Sequence, residues 1–514
     1  MLGFVCLSLL GLSMSARITL LVILGLVLAM SLTNIRTDVI FLCAIIILLV
    51  TGVVNQDEAF AGLASHEVII AASLFIVVGG LTYTGFLNVL VKQLGKPSTL
   101  KKAIPRIMFP VAFLSSLIGE TTVVAMFINV VRLWTKKLSI APSKLLIPVS
   151  YAACMGGACT LIGSPANLII ANFYHNNTGD NLSFFSPTFC GVVCLIFGVL
   201  TMMAMSKFLP NRKSPIEGID SEDFTAELTV PSDSLLIGSS LDEVGYFDDK
   251  KTLRVVAIRR FDNEIVDTVQ DDEFIMGGDR LIVTGKTEAI LQLCRKEHLE
   301  NENIEGILMS EGELGTSRRG TIKSSLILMC MVLLSAFNIM PMMQSCLLAA
   351  AAMVVCRCCN VDQAMKSIEW DVILIFAGSI CIGTALESTE LNELLSKWMM
   401  SITADNAYWA LLIICTVATL VTEFLESTVT AAIFSPIALH MATAMEANPM
   451  TFVIALLIAV SSSFATPLAS HAHTHVYVPG GYKFSDFSKM GIPMNLVILI
   501  INIAICCLVF PLYP

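Results

Sequence analysis

Long apolar segments, separated by short polar stretches, make up most of this chain. A helix needs about 20 apolar residues to cross a bilayer, and many of the segments approach or exceed that length. They span residues 18–33, 38–54, 67–89, 187–206, 321–338, 341–357, 405–422 and 493–512. The pattern predicts an all-α protein that crosses the membrane many times.

The composition agrees with this prediction, because 55% of the 514 residues are hydrophobic and only 14% are charged. A soluble protein of this size would carry about a quarter charged residues. We therefore expect the lipid bilayer to surround the protein, in a plasma membrane or a bacterial inner membrane. We expect no nucleic-acid partner.

A polar segment in the middle of the chain has a different character. Residues 211–320 contain 13 Lys and Arg against 24 Asp and Glu, a net charge of −11, whereas the rest of the chain sums to +1. Short segments rich in β-branched residues predict strands, and two segments with helix-start or amphipathic patterns predict helices. The strands are expected at 225–230, 253–260, 264–269 and 279–286, and the helices at 238–247 and 287–299. We predict a small α+β domain over 218–300, followed by a linker over 301–320.

The stretch DDEFIMGGDRLIVTG, residues 271–285, resembles the C-terminal regulatory domain of the TrkA (RCK) type. The resemblance implies a cytosolic module that binds a small regulatory ligand or promotes oligomerisation. The alternative is an inert domain that only stabilises a dimer.

The two membrane parts on either side of this insert have similar lengths, 1–210 and 321–514, and their sequences repeat. GETTVVAMF at 119–127 aligns without gaps with ESTVTAAIF at 426–434, at an offset of 307 residues. TLIGSPAN at 160–167 aligns with TPLASHAH at 466–473, at an offset of 306. Because the two offsets agree, we predict an internal duplication.

The distribution of Lys and Arg predicts that the two copies have opposite orientations. Basic residues concentrate in 91–106, in 132–144 and at the flanks of the insert, which places these segments in the cytoplasm. Residues 172–189 contain no Lys or Arg and are expected outside, although Lys397 falls in a loop expected outside. These assignments predict two inverted-topology repeats, an architecture found in transporters, with the insert in the cytosol.

Each repeat is predicted to contain a re-entrant hairpin and a broken helix. The hairpins are expected at about 105–132 and 408–447, and the broken helices at about 146–173 and 449–478. Their polar residues lie inside apolar segments, where non-helical backbone is tolerated only beside protein or a watery cavity. Small residues, hydroxyls and freed helix-start N–H groups at the hairpin tips can hold an oxyanion, and carbonyls freed at the breaks can coordinate Na⁺. A packing role for these small residues is the alternative, and the recurrence of the motifs favours a site.

Two further stretches, 143–170 and 461–496, carry a resemblance over nearly the whole chain. They contain SKLLIPVSYAACMGGACTLIGSPANLII and SSSFATPL…YVPGGYKFSDFSKMGIPMNL. The chain resembles the divalent anion:sodium symporter family within the wider ion transporter superfamily, in particular permeases with a TrkA-C domain between their halves. The resemblance implies a homodimer with a static scaffold and an elevator-type transport domain. It also implies a small anionic substrate shared between two Ser-Asn-Thr motifs, with sodium beside each.

The candidate site residues combine the tips, the breaks and the positions matched to the family motifs. For the substrate they are Gly119, Glu120, Thr121, Thr122, Ser164, Asn167, Glu426, Ser427, Thr428, Thr466, Pro467 and His473. For Na⁺ they are Thr121, Gly163, Asn167, Thr428, Ala465 and Ser470. No other cofactor is expected.

Two glutamates at the tips depart from the family pattern. An ionised carboxylate repels an anion strongly at low dielectric. Glu120 and Glu426 are therefore either neutral proton carriers, ligands of the coupling cation, or signs of a neutral or cationic substrate. His471, His473 and His475 can relay protons, hold an anion or bind a metal, or they are ordinary hydrogen-bonded side chains. These residues show no spacing typical of an enzyme.

These observations predict a secondary active transporter of a small anion, with sulfate or a dicarboxylate as the expected substrate. Coupling is to Na⁺ by resemblance, and the tip glutamates also allow H⁺. The alternative function is a membrane sensor or gated channel that the insert controls.

Overall fold

The computed structural model describes most of the two membrane parts and a smaller share of the segment between them. The described membrane residues are 13–32, 36–86, 99–138, 140–212, 318–337, 339–389, 391 and 406–513. Those of the middle segment are 223–231, 234, 236–238, 253–259, 265–266, 275–276, 279–286 and 293. The chain divides into two compact units, which we call the membrane unit and the insert unit. The membrane unit comprises Met1–Tyr83, Leu90–Pro215 and Arg319–Pro514. The insert unit comprises Thr84–Val89 and Ile216–Arg318.

The first part of the membrane unit is built from helices. Backbone N–H and C=O groups find no water in the bilayer core, and a helix pairs these groups within its own segment. They are α1 (Met14–Leu32), α2 (Thr37–Val50), α3 (Gln56–Ala61), α4 (His66–Tyr83), α5 (Leu100–Ile118), α6 (Glu120–Leu138), α7 (Ser143–Gly157), α8 (Pro165–Thr178) and α9 (Thr188–Ala204).

The second part follows a similar order of helices. They are α10 (Arg318–Ala336), α11 (Met342–Val355), α12 (Val361–Lys366), α13 (Trp370–Glu387), α14 (Ala407–Thr422), α15 (Ser427–Ala444), α16 (Pro449–Ser461), α17 (His471–Tyr477) and α18 (Phe484–Val509).

Among the described residues, six helices are long and apolar enough to cross a membrane. They are Gln56–Tyr83, which combines α3, α4 and the short turn between them, and Thr188–Lys207, Arg319–Ala336, Trp370–Glu387, Ser427–Ala444 and Phe484–Val509. Shorter apolar helices, such as α2, α14 and α16, accompany them. The prediction of a mostly helical, multi-pass membrane protein is confirmed.

The centre of the membrane unit lies around α13 and α15. The apolar window of each of these helices is 72% buried inside the protein, whereas that of α18 is only 22% buried. Helix α15 packs on α8, α13 and α16, and α9 packs on α18. The central helices therefore form the framework that holds the hairpins and breaks, and α18 presents most of its apolar surface outward.

Polar contacts join α8 to its neighbours near the ends of the helices. The amide of Asn172 donates to the Glu67 carboxylate at the start of α4, at 2.7 Å. The amide of Asn177 donates to Glu387 at the end of α13, at 3.1 Å. Helix α8 is thus held by hydrogen bonds to two helices outside the repeated motifs.

An ion pair joins the end of the first membrane part to the start of α18. The Arg212 guanidinium binds the Asp486 carboxylate at the start of α18 through two hydrogen bonds, of 2.5 and 3.0 Å. This contact raises the pKa of Arg212. The Arg212 backbone also accepts and donates hydrogen bonds with the Ser143 hydroxyl, which fixes the chain before it enters the insert.

The insert unit contains a four-stranded antiparallel sheet in the order β1-β4-β2-β3. Its strands are β1 (Asp223–Thr229), β2 (Leu253–Arg259), β3 (Ile265–Val266) and β4 (Arg280–Lys286). Leu228 of β1 lies opposite Leu281 of β4, and a register shift interrupts the β2–β4 pairing between Val255 and Ala257. Leu228, Leu281 and Val283 are buried, so one face of the sheet forms a core.

Several predictions for the insert concern residues outside the described part of the chain. Almost all of the residues expected to form the helices at 238–247 and 287–299 and the linker at 301–320 lie outside it. The same is true of Lys397 and of residues 91–98 of the basic segment 91–106. The α+β class of the insert, its likeness to a TrkA-C domain and the inverted orientation of the repeats therefore stay predictions.

Candidate functional site

The first hairpin turns at a single glycine. Helix α5 ends at Ile118 and α6 begins at Glu120, and between them Gly119 has φ 100° and ψ 151°. Residues with a Cβ atom rarely adopt this conformation, so glycine is required for so short a turn. The turn leaves the start of α6, with Glu120, Thr121 and Thr122, at the tip.

The second hairpin turns over Glu423–Glu426. Helix α14 ends at Thr422 and α15 begins at Ser427, with Glu426 at the N-cap position. The Glu426 side chain makes no capping hydrogen bond. Among the described residues, the backbone N–H groups in the first turn of α15 therefore have no side-chain partner.

Each repeat also contains a helix that is interrupted and resumes. Helix α7 ends at Gly157 and α8 begins after Ser164, and α16 ends at Ser461 and α17 begins after Ser470. The two serines have almost the same backbone angles, φ −147° and ψ 141° for Ser164 and φ −150° and ψ 145° for Ser470. The positions that the sequence aligns are therefore also alike in local geometry.

Hydrogen bonds between each hairpin and its interrupted helix recur at the same offset. The Thr160 hydroxyl donates to the Ser116 carbonyl at 2.5 Å, and the Thr466 hydroxyl donates to the Glu423 carbonyl at 2.5 Å. Thr160 and Thr466 are 306 residues apart, and Ser116 and Glu423 are 307 apart. Each hairpin is thus fastened to the break that follows it by an equivalent contact.

A second recurring contact joins the two sides of each break. The Asn167 amide donates to the Gly157 carbonyl at 2.9 Å, and the His473 Nε2 lies 3.0 Å from the Ser463 carbonyl, which can only accept. Asn167 and Gly157 correspond to His473 and Ser463 at the offset of 306. Asn167 and His473 therefore make equivalent contacts with a backbone carbonyl in the two repeats.

The buried carboxylate of Glu423 holds the second break in place. It accepts hydrogen bonds from the backbone N–H groups of Ala465 at 2.9 Å and Thr466 at 2.7 Å, and from the Asn495 amide at 2.5 Å. These donors compensate the cost of burying a charged group, since the Glu423 side chain would otherwise lose its hydration. The first repeat has Ser116 at this position, so the two halves differ here.

The hairpin tips and breaks border a common cavity of about 100 Å³. This is room for several water molecules or a small solute. Helices α4 and α13 complete its wall. The lining residues are Ala71, Leu74, Phe75, Val78, Ile118, Gly119, Glu120, Thr121, Thr122, Ile162, Gly163, Ser164, Pro165, Leu168, Glu369, Val372, Glu426, Ser427, Thr428, Ser470 and His471.

The ionisable residues of this cavity are three glutamates and one histidine. The Ser470 hydroxyl donates to the Glu120 carboxylate at 2.8 Å, and His471 Nε2 lies 3.5 Å from the Glu426 carboxylate. Glu369 contributes the third carboxylate from the N-cap of α13. None of the described lining residues is Lys or Arg, so the cavity favours positive charge unless carboxyl groups are protonated or a cation is bound.

Ten of the predicted site residues meet at this cavity. They are Gly119, Glu120, Thr121, Thr122, Gly163, Ser164, Glu426, Ser427, Thr428 and Ser470. This grouping joins both hairpin tips and both breaks. Whether these residues bind substrate or Na⁺ stays a prediction.

The structure does not bring five other predicted residues to the cavity lining. Asn167, Ala465, Thr466, Pro467 and His473 lie within or behind the breaks. Asn167 is fully buried, and its amide is occupied by carbonyls and its Oδ1 by the Ser461 hydroxyl. Both N–H donors of this amide are therefore engaged within the protein.

His473 differs most from its predicted position. It is completely buried beside the rings of Tyr151 and Phe487, at centroid distances of 5.2 and 5.5 Å. Because α17 is helical, His471 and His473 point in different directions, and His471 is the one at the cavity. In the described part of the chain, no group of three or more His, Cys, Asp and Glu side chains is arranged to hold a metal ion.

Glu369 and Glu423 were not predicted as site residues. Glu423 corresponds to Ser116, so comparison of the repeats does not mark it. Glu369 lies between an apolar helix and a polar turn, where an acidic residue is ordinary, and only the packing of α13 brings it to the cavity. No motif in the sequence identifies either residue.

Apolar helices long enough to cross a membrane, with a cavity between interrupted helices, are an architecture typical of multi-pass membrane transporters. The chain belongs to the citrate transporter family, because the family model, CitMHS, matches residues 21–459. The predicted relationship to ion transporters is confirmed at this level.

Individual relatives agree with this assignment. The chain is 25% identical to the uncharacterized transporter sll0640 of Synechocystis sp., over 91% of this chain and 93% of that protein. It is 28% identical to sodium/sulfate cotransporter 1 of Chlamydomonas reinhardtii, over 53% of this chain and 31% of that protein. The crystal structure of the Alcanivorax borkumensis YdaH transporter has a similar fold, with a TM-score of 0.50, 12% identity and coverage of 88% and 87%.

Proposed function

We propose that this protein is a secondary active transporter that carries a small anion of the sulfate or dicarboxylate class together with Na⁺ or H⁺. Membership of the citrate transporter family supports an anionic substrate, and so does the relative named as a sodium/sulfate cotransporter. The substrate occupies the cavity between the two hairpin tips.

The charge of the cavity carries the proposal of symport. An anion that enters alone meets Glu120, Glu369 and Glu426, with His471 as the one basic side chain among the described lining residues. Two unit charges of the same sign 4 Å apart repel by about 4 kcal/mol at an effective dielectric constant of 20. A cation or proton that neutralises a carboxylate removes this repulsion, so anion and cation bind better together than apart. This mutual dependence is the thermodynamic requirement for coupling.

Hydroxyl groups and helix starts supply the anion contacts. Ser164, Ser427 and Thr428 line the cavity at the starts of α8 and α15. Backbone N–H groups at the first turn of a helix favour negative charge. The same cavity thus offers contacts for an anion beside carboxylate oxygens for a cation.

The wider architecture is part of the same proposal. We infer two inverted repeats that move elevator-fashion against a scaffold, in a homodimer, with the insert in the cytosol binding a small regulatory ligand. The recurring contacts of Thr160 and Thr466 support the repeats, since they bind each hairpin and its break into one body.

Uptake into proteoliposomes tests the proposal. Purified protein is reconstituted, and uptake of labelled sulfate and succinate is measured under an inward Na⁺ gradient, an inward H⁺ gradient, or neither. We expect at least one gradient to drive accumulation above equilibrium, because the cavity requires a compensating cation. Equal uptake under all three conditions would refute coupling, and no uptake of any small anion would refute the proposed function.

A further inference from the structure

The two serines that begin the resumed helices have different partners. The Ser470 hydroxyl donates to the Glu120 carboxylate at 2.8 Å. Its counterpart Ser164 is 97% buried at the cavity, and its hydroxyl makes no hydrogen bond to any other described residue. One serine of the repeat thus holds a carboxylate of the protein, whereas the equivalent serine holds none.

The difference arises at the hairpin tips. The position that corresponds to Glu120 at the offset of 307 is Ser427, whose side chain cannot supply a carboxylate. Next to it, the Thr428 hydroxyl is buried and has no hydrogen-bond partner among the described residues, and Thr428 lines the cavity. Buried hydroxyls without partners are costly, so a ligand that accepts or donates hydrogen bonds there is strongly favoured.

Two half-sites with equivalent backbone geometry are therefore filled differently. In one, the Glu120 carboxylate accepts a hydrogen bond from Ser470. In the other, the hydroxyl of Ser164 lines the cavity at the start of α8, and those of Ser427 and Thr428 line it at the start of α15, where the N-cap side chain makes no capping bond. The free half-site offers to an incoming anion the kind of contact that Glu120 already has.

We propose that Glu120 is a built-in anion that permanently occupies one of two equivalent half-sites, so that the cavity accepts a substrate with a single anionic head group. Sulfate and monocarboxylates satisfy this requirement, whereas dicarboxylates and citrate need both half-sites. This inference rests on the proposed function, since it assigns the substrate class of that same cavity.

The charge of Glu120 acts in the same direction as its position. A second carboxylate on the substrate would have to lie against the half-site where Glu120 accepts the Ser470 hydrogen bond. The incoming group would find that donor already engaged and would face a like charge. A single-headed anion avoids both costs because it contacts only the Ser164 and Ser427 side.

Ligand-dependent thermal stability of the purified full chain provides the first test, because binding to the folded state raises Tm by mass action. Sulfate and acetate are compared with succinate and citrate at fixed ionic strength, with Na⁺ present and at two pH values. We expect the better single-headed anion to bind at least tenfold more tightly than succinate or citrate. Succinate or citrate binding within tenfold of it, or more tightly, would overturn the inference and leave the proposed function intact. No shift with any anion would overturn the proposed function as well.

Variants of Glu120 separate occupancy from charge. Glu120→Ser reproduces the residue of the second tip and should raise the affinity for succinate relative to sulfate at least tenfold. Glu120→Gln keeps an oxygen for the Ser470 bond but loses the charge, so it should shift the preference for single-headed anions clearly less than Glu120→Ser does. Glu387→Gln, a carboxylate outside the cavity, should retain the wild-type order of anions. If Glu120→Gln shifts the order as far as Glu120→Ser does, charge alone sets the preference and the inference is wrong.

Discussion

Replacement of Glu423 by glutamine should weaken the attachment of the second break to its hairpin. The carboxylate accepts three hydrogen bonds, with Ala465 and Asn495 at one oxygen and Thr466 at the other. Glutamine offers one acceptor oxygen and one NH₂ group. In either orientation of the amide, an N–H of the break faces an N–H₂ of the new side chain.

The size of the effect follows from these contacts. A hydrogen bond to a charged group contributes about 1.5–3 kcal/mol, and a buried donor left without a partner costs about as much again. We therefore expect Glu423→Gln to lower the free energy of unfolding by about 2–4 kcal/mol. The break positions Ser470 and His471 at the cavity, so anion uptake should fall together with stability.

Thermal unfolding of the purified protein and uptake into proteoliposomes measure the two effects. Glu387→Gln is the control, since this exposed carboxylate accepts one hydrogen bond of 3.1 Å from Asn177. We expect Tm of Glu423→Gln to lie several degrees below that of the control. Equal Tm and equal uptake for the two variants would refute the view that Glu423 holds the break.

Two further predictions concern the hairpin turn and the insert. Gly119→Ala should destabilise the protein by about 1–3 kcal/mol because φ at this position is 100°. The control is Gly25→Ala in α1, where an added Cβ meets no atom within 4 Å, and it should be neutral or stabilising. Equal Tm values for the two variants would contradict the argument from backbone conformation. Deletion of residues 218–300 should leave measurable anion uptake, since the cavity lies entirely in the membrane unit. Complete loss of flux in a deletion variant that keeps its Tm would favour the alternative function of a sensor or gated channel.

The sequence carries enough information to locate the cavity but not all of its chemistry. Gly119, the Pro165 helix start and the repeated threonines mark the places where helices end, because such residues have local conformational reasons to interrupt a helix. These reasons act within a few residues, and an internal repeat makes them visible twice. Both tips line one cavity.

The remaining site chemistry depends on packing between distant segments. Glu423 is important because Ala465, Thr466 and Asn495 converge on it from 42 to 72 residues away along the chain. Which histidine reaches the cavity depends on the helical state of α17, and a spacing of two residues cannot decide it. Glu369 reaches the cavity only through the packing of α13. None of these contacts leaves a pattern in a single sequence.

The distances along the chain between contact partners also bear on how the protein is made. The bonds Thr160–Ser116 and Thr466–Glu423 join residues 44 and 43 positions apart, so each hairpin and the break that follows it can assemble from one continuous stretch. By contrast, Ser470 and Glu120 are 350 positions apart, and Tyr151 and Phe464 are 313 apart. Local contacts form before distant ones, and chains fold from the N-terminus during synthesis. The first hairpin and its break can therefore be complete before the ribosome reaches the insert, whereas the serine that binds Glu120 is made only 350 residues later.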